Sequence, residues 1–329
     1  MNKMKNASFW ERNKQTKNYL LRHTIFRVLF KIARAVLLFG LCFLILQPLF
    51  NKISVSFMAE QDLYDTTIIS IPKHFTTYNY WLAVKLMDYW RTLANTVGLA
   101  LIVSVFQIIS CTLVGYGFAR YKFPLKNFWF ALVILVIVVP PQTMMASLYV
   151  NFRYFDVFGI IEATTGEPLN LLGTPIPYIL MSLGCMGLKC GLYIYMIRQY
   201  FRGIPKELEE AAYVDGYGKF KTFVRIMLPD AKPILTSCFL FAFVWQWTDT
   251  FYTGMFLREF ALLPNKLSTL TGALGSFLSG GVGESTVNAV YGMAVLSTGT
   301  LLVILPLILI YLVAQKGFVE SLSQSGLKM

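Results

Sequence analysis

Ile204-Pro205-Lys206-Glu207-Leu208-Glu209-Glu210-Ala211-Ala212-Tyr213-Val214-Asp215-Gly216, followed by Ile226-Met227-Leu228-Pro229, lies between two apolar blocks, Pro177–Ile197 and Leu235–Leu257. Local chemistry writes this stretch as two short helices and a turn. Pro205 suits a first helical position, and Glu207, Glu209 and Glu210 favour the positive N-terminal turn. Leu208, Ala211 and Ala212 give the first helix one small, weakly apolar stripe. Gly216 is expected to end that helix, because glycine takes a left-handed cap without strain. Phe220, Phe223, Val224 and Met227 fall at i, i+3, i+4 and i+7, so the second helix is expected to be amphipathic. A compact acidic helix with an alanine face suits docking, since alanines permit close approach and a rim glutamate can meet an arginine. An ordinary solvated loop with one helical turn has the same composition.

Outward from this stretch the chain is strongly apolar. Of its 329 residues 56% are hydrophobic and 14% charged, with a mean hydropathy of +0.57. A soluble domain of this size carries about a quarter charged residues, so the composition points to a bilayer as solvent. Six blocks reach the roughly 20 apolar residues that a spanning helix needs. They are Ile32–Phe50, Leu93–Phe118, Phe128–Val150, Pro177–Ile197, Leu235–Leu257 and Ala289–Ala314. The short alternating segments of a membrane barrel are missing. The first block follows a basic tail over residues 1–31, too long for a secretory n-region, and reads as a retained anchor. The expected fold is an all-α polytopic membrane protein. It has an extracytoplasmic segment over 51–92, a five-helix core over 93–314 containing the loop 198–232, and a C-terminal tail over 315–329. Pro140-Pro141 is expected to kink or break the third span, and Pro306 to do likewise in the sixth.

Basic residues set the orientation. Twenty Lys and Arg fall in the tail to Lys31, the loop Arg120–Lys126, the stretch Arg198–Lys232 and the C-terminus, against seven on the other side. Positive residues favour the cytoplasm, so both termini and the long loop are expected there. The formal charge of +12 then reflects topology and anionic membrane lipid, not nucleic acid. Arg34 and Lys189 lie at or within the spans. The five cysteines, Cys42, Cys111, Cys185, Cys190 and Cys238, fall in or beside apolar blocks without metal-binding spacing and read as small packing residues. Small-residue stripes, Cys111, Gly115 and Ala119 in one block and Gly184, Gly187 and Gly191 in another, indicate close helix packing.

The spacing Glu210, Ala211, Ala212, then Gly216, then Ile226, Leu228 and Pro229 resembles the EAA loop of ABC importer permeases. Asp215-Gly216 and Ile204-Pro205 fit the extended pattern. Asn95-Thr96, Gly115-Tyr116-Gly117-Phe118-Ala119-Arg120 and Gln315-Lys316-Gly317-Phe318-Val319 resemble the carbohydrate, maltose-permease-like branch. Gly117 stands where that branch has alanine. Ser321 and Ser325 stand where its members carry glycines. The resemblance covers residues 95–328. It implies a multi-pass subunit of the bacterial inner membrane, paired with a second, homologous permease. It also implies an ATPase dimer beneath the pair and an extracellular solute-binding protein. The loop would be the coupling helix that sits in an ATPase cleft. The chain's nearest lookalike to a phosphate-binding loop, Gly218-Lys219, continues with Phe220 where Ser or Thr belongs. ATP and Mg are therefore expected on the partner, with no cofactor, catalytic residue or metal ligand here, so the chain is not expected to be an enzyme.

Polar and aromatic residues within the spans are candidates for a solute path, because polar groups in lipid usually face a cavity or a partner helix. They are Asn95, Gln107, Trp245, Gln246, Trp247, Asp249, Asn288 and Tyr291. Interhelical hydrogen bonding and interfacial aromatics would use the same residues. The expected cargo is an oligosaccharide; polyamine, phosphate or peptide import is the alternative, and a secondary transporter, which would favour an inverted repeat, ranks lower.

Overall fold

The computed structural model describes residues 19–279 and 289–326, and divides into two compact units at Thr77/Tyr78. The first unit is dominated by α1 (Tyr19–Ser56), whose side chains from Ile25 to Phe50 stay largely exposed, as a lipid-facing span requires. After it come α2 (Glu60–Tyr64) and a short irregular segment closed by a single antiparallel bridge, Met58 to Phe75. Phe57 and Phe75 stack at 4.7 Å, and the carboxylate of buried Asp62 lies 2.6 Å from His74 Nδ1 while accepting the His74 backbone N–H at 2.7 Å. Nearby Asp65 accepts from Thr67 Oγ1 at 2.6 Å and from Lys73 Nζ at 2.9 Å.

The second unit is built around α4 (Tyr89–Arg120), the one long helix buried along much of its length. It is preceded by α3 (Tyr78–Leu86), so the expected extracytoplasmic segment 51–92 is shared between the two units. Against α4 pack α8 (Ile176–Leu183), α9 (Cys190–Gly203), α13 (Lys232–Trp247) and α15 (Leu263–Leu278). Gly115 lets α9 approach: a Cβ there would lie 2.9 Å from Ile197 Cγ2. Gly191 does the same for α5 (Lys126–Val138), where a Cβ would meet the Val133 carbonyl at 2.9 Å. The small residues therefore serve packing inside this chain. Two apolar clusters follow α4. One includes Cys111, Tyr116, Ile197, Phe201 and Met227; the other includes Leu99, Val103, Leu148, Tyr178 and Phe256.

The expected third span is broken at its prolines. α5 ends at Val138, a 3₁₀ turn runs Pro141–Met144, α6 (Met145–Arg153) follows, and the two arms meet at 100°. The fourth is interrupted by residues 184–189, where Cys185 and Lys189 take positive φ values of 55° and 61°. A short α7 (Ile160–Thr165) lies between the third and fourth blocks. The sixth, α16 (Ala289–Gly326), runs through Pro306 without a break. A proline at 306 removes the N–H that would bond the Leu302 carbonyl. Tyr89 fills the gap by donating its hydroxyl to that oxygen at 3.0 Å, and Trp247 Nε1 donates to the Val303 carbonyl at 3.3 Å. Among the described residues three helices are long and apolar enough to cross a membrane, Ile25–Ser56, Tyr89–Arg120 and Ala289–Gln315, or up to five if each bent pair is one span. Among the described residues there is no strand beyond two isolated bridges.

Candidate functional site

The long loop folds as two helices and a turn. α10 (Glu207–Val214) starts behind Pro205 and ends at Gly216, whose φ is +80°. Gly216 N–H bonds the Tyr213 carbonyl at 3.1 Å and Tyr217 N–H the Ala212 carbonyl at 2.9 Å, the paired bonds of a Schellman cap. After it come α11 (Lys219–Thr222), a π-helical turn over Phe223–Met227 and α12 (Leu228–Asp230). The wider turn breaks the expected amphipathic register. Phe223 and Met227 are buried, but Phe220 and Val224 are exposed.

α10 also divides differently from its expected stripe. Glu209 and Ala212, three residues apart, face the rest of the chain and are buried. Leu208, Glu210, Ala211 and Val214 are exposed, Val214 at 88%. The buried side is held by an ion pair that joins two stretches read separately in the sequence. Arg120 Nε lies 3.2 Å from Glu209 Oε1, with the two side chains 6% and 10% exposed. Tyr116 donates its hydroxyl to the same oxygen at 2.9 Å, and Arg120 Nη2 donates to the Ile204 carbonyl at 2.9 Å. The end of α4 thus clamps both the helix and its leading strand of chain. Glu209, Tyr116 and Arg120 were not among the candidate site residues. The signal that would have found them is a carboxylate, a phenol and a guanidinium in two stretches that each suggested function.

Asp215 follows α10 as its C-cap residue, with its N–H on the Ala211 carbonyl at 3.0 Å. Ile226 and Leu228 are half-buried and Pro229 exposed. Leu228 and Pro229 join Ile108, Leu113, Lys232 and Leu235 around an apolar cleft of about 440 Å³.

The described candidates for a solute path are placed as follows. Asn95 Nδ2 donates to the Ala261 carbonyl at 3.1 Å while Thr96 Oγ1 accepts Leu263 N–H at 2.9 Å, so this pair secures the start of α15. Gln107 is buried and donates to the Leu188 carbonyl and, at 3.1 Å, to Cys190 Sγ. Trp247 and Tyr291 are buried. Buried Asp249 accepts the Tyr178 hydroxyl at 2.7 Å and the N–H groups of Phe251, Tyr252 and Thr253, which opens α14 (Phe251–Phe256). Gln246 is buried, whereas Trp245 is 46% exposed, with Lys189 Nζ 4.8 Å from its ring centroid. Asn288 lies outside the described residues. The described residues contain no group of three or more His, Cys, Asp or Glu placed to hold a metal, and their cysteines are free.

Residues 111–323 match the family described as binding-protein-dependent transport system inner membrane component. The arabinooligosaccharides transport system permease of Halalkalibacterium halodurans is 26% identical, over 88% of this chain and 93% of that one. The maltodextrin transport system permease of Bacillus subtilis is 28% identical over 73% and 76%. A crystal structure of a bacterial ABC transporter involved in the import of the acidic polysaccharide alginate shares the fold at a TM-score of 0.67. It is 20% identical over 88% of this chain and 96% of its own. The match spans the clamped loop, most of the helical core and the C-terminal helix. The chain belongs to the family of binding-protein-dependent transport system inner membrane components, the permeases of ABC importers.

Proposed function

We propose that this chain is one of two permease subunits of an ABC importer for an oligosaccharide, and that α10 is the element through which a separate ATPase drives it. The observation that carries the coupling role is the two-sided α10. Its Glu209–Ala212 side is clamped to α4 through Arg120 and Tyr116, while Glu210, Ala211 and Val214 remain uncovered. A helix held this way transmits displacement to a transmembrane helix and keeps a free face for a partner. In this reading Glu210, Ala211, Ala212, Asp215, Gly216, Ile226, Leu228 and Pro229 make up the coupling segment. ATP and Mg belong to the ATPase dimer, and a binding protein delivers the solute from outside.

The carbohydrate reading is supported by what the relatives are named for, arabinooligosaccharides and maltodextrin. The topology proposed is six spans with both termini and the loop 198–232 cytoplasmic, the crossings being α1, α4, the broken third block, the interrupted fourth block, the block Leu235–Leu257 and α16. Isolating the chain from its native membrane under mild conditions, identifying the co-isolated subunits, and measuring uptake of labelled oligosaccharides by the reconstituted assembly tests both parts. The expected result is a second permease, an ATPase and ATP-dependent saccharide uptake. An assembly without an ATPase, or one that moves no saccharide, would refute the proposal.

A further inference from the structure

Two broken spans meet at one place in the second unit. The Val139-Pro140-Pro141 break faces the interruption over residues 184–189, and a cavity of about 210 Å³ lies between them. Lys189 is the one charged residue in its lining, set there by a left-handed backbone at φ 61°. Gln107 steadies this turn through the Leu188 carbonyl and Cys190 Sγ. Depth follows from the helices below it. α9 runs 14 residues from Cys190 to Gly203, which at about 1.5 Å per residue is about 20 Å. Of that, only Cys190–Ile197, about 12 Å, precedes the proposed cytoplasmic stretch that begins at Arg198, which places Lys189 near, but short of, the middle of a hydrocarbon layer about 30 Å thick.

An ammonium at that depth is costly unless it faces water or an anion. Lys189 has no carboxylate or hydrogen-bond partner among the described residues; its one contact is the ring of half-exposed Trp245. Buried Asp249, by contrast, is already met by four donors. An uncompensated cation beside an exposed indole has the chemistry of a sugar subsite: the aromatic ring takes the apolar face of a pyranose and the ammonium an anionic substituent. We infer that Lys189 and Trp245 form a subsite for an acidic saccharide, with a sugar ring against the indole and its carboxylate on the ammonium. This inference rests on the carbohydrate reading and narrows it to a charged class.

The test uses the complete transporter in lipid nanodiscs and measures equilibrium binding of tri-galacturonate and of maltotriose. Wild type is expected to bind the acidic probe at least tenfold more tightly. Lys189→Gln and Lys189→Met are expected to bring that ratio close to one, Lys189→Arg to restore most of it, and Trp245→Ala to weaken both probes. Wild type that binds both probes equally, or Lys189→Met that keeps the preference, would overturn the inference. So would loss of the second permease from both neutral variants during purification, since Lys189 would then be a subunit contact. A transporter that takes up neutral oligosaccharides but ignores uronates leaves the carbohydrate reading standing and removes only this one; a transporter that takes up no saccharide removes both.

Discussion

Glu209 differs from its neighbour Glu210 by one position and by almost everything else. Glu209 is buried against Arg120 and Tyr116, whereas Glu210 points away from the chain. Removing one member of a buried ion pair typically costs about 3–5 kcal/mol, because the other charge is left uncompensated. Arg120→Ala and Glu209→Ala are therefore each expected to loosen the loop 204–229, seen as a large rise in hydrogen exchange confined to it. In the double variant the two losses are expected to be non-additive by about 0.5–3 kcal/mol. Additive losses would mean that the pair does not hold α10. Helical spacing alone does not separate the three glutamates of this helix, since it reports a face and not what covers it, and the motif spacing singled out Glu210 rather than Glu209. The covering group sits in another stretch, Gly115 to Arg120, which had been noticed for its own pattern. The Gly216 cap was legible because its cause is local: the backbone there needs φ of +80°.

At the scale of elements, two glycines two residues apart on α4 give opposite expectations. Gly115→Ala places a Cβ 2.9 Å from Ile197 Cγ2 and 3.3 Å from the Arg198 backbone nitrogen, an overpacking that costs about 1–3 kcal/mol. Gly117→Ala meets nothing within 4 Å and gains up to about 1 kcal/mol of helix propensity. Thermal unfolding in detergent should fall for the first and hold or rise for the second; equal effects would contradict the packing described. A further expectation concerns the segment after α1. Hydrogen bonds from Thr67 and then Lys73 hold the Asp65 carboxyl well below its ordinary 3.8. Burial pushes Asp62 up, but its bonds from His74 outweigh that and leave it lowered too. Depressed carboxyls contribute order that is complete above the ordinary value and is lost as pH falls through and below it. Hydrogen exchange over 60–77, corrected for intrinsic rate, should therefore rise on acidification below about pH 4 in wild type. In Asp65→Asn that segment should already be looser at neutral pH. The blocks of α1, α4 and α16 were legible because each is one long apolar run. α15 was not: it buries Leu263, Leu270 and Leu274 but exposes Ser268, Thr269 and Thr271, so no unbroken apolar run marks it. The hydroxyl that takes the place of the missing Pro306 N–H was not legible either, because it belongs to Tyr89, 213 residues from the Leu302 carbonyl it bonds.

α10 bears on α4, α4 packs against α8, α9, α13 and α15, and the breaks in the third and fourth blocks meet beside its middle at Gln107. Charge asymmetry gives the proposed orientation an independent check. In intact cells a cysteine at Lys219 should resist an impermeant thiol reagent while one at Glu60 reacts; labelling at Lys219 from outside would overturn the topology. The claim on which the rest depends is that the exposed face of α10 couples this chain to an ATPase. It is tested most directly by reconstituting the complete transporter with Glu210→Lys and measuring solute-stimulated ATP hydrolysis and uptake on the same vesicles. An exposed charge contributes little to folding, but its reversal repels a partner's cation. The account predicts normal amounts of inserted chain, weakened retention of the ATPase and loss of at least most uptake and stimulation. Wild-type uptake and stimulation with the ATPase fully retained would contradict it.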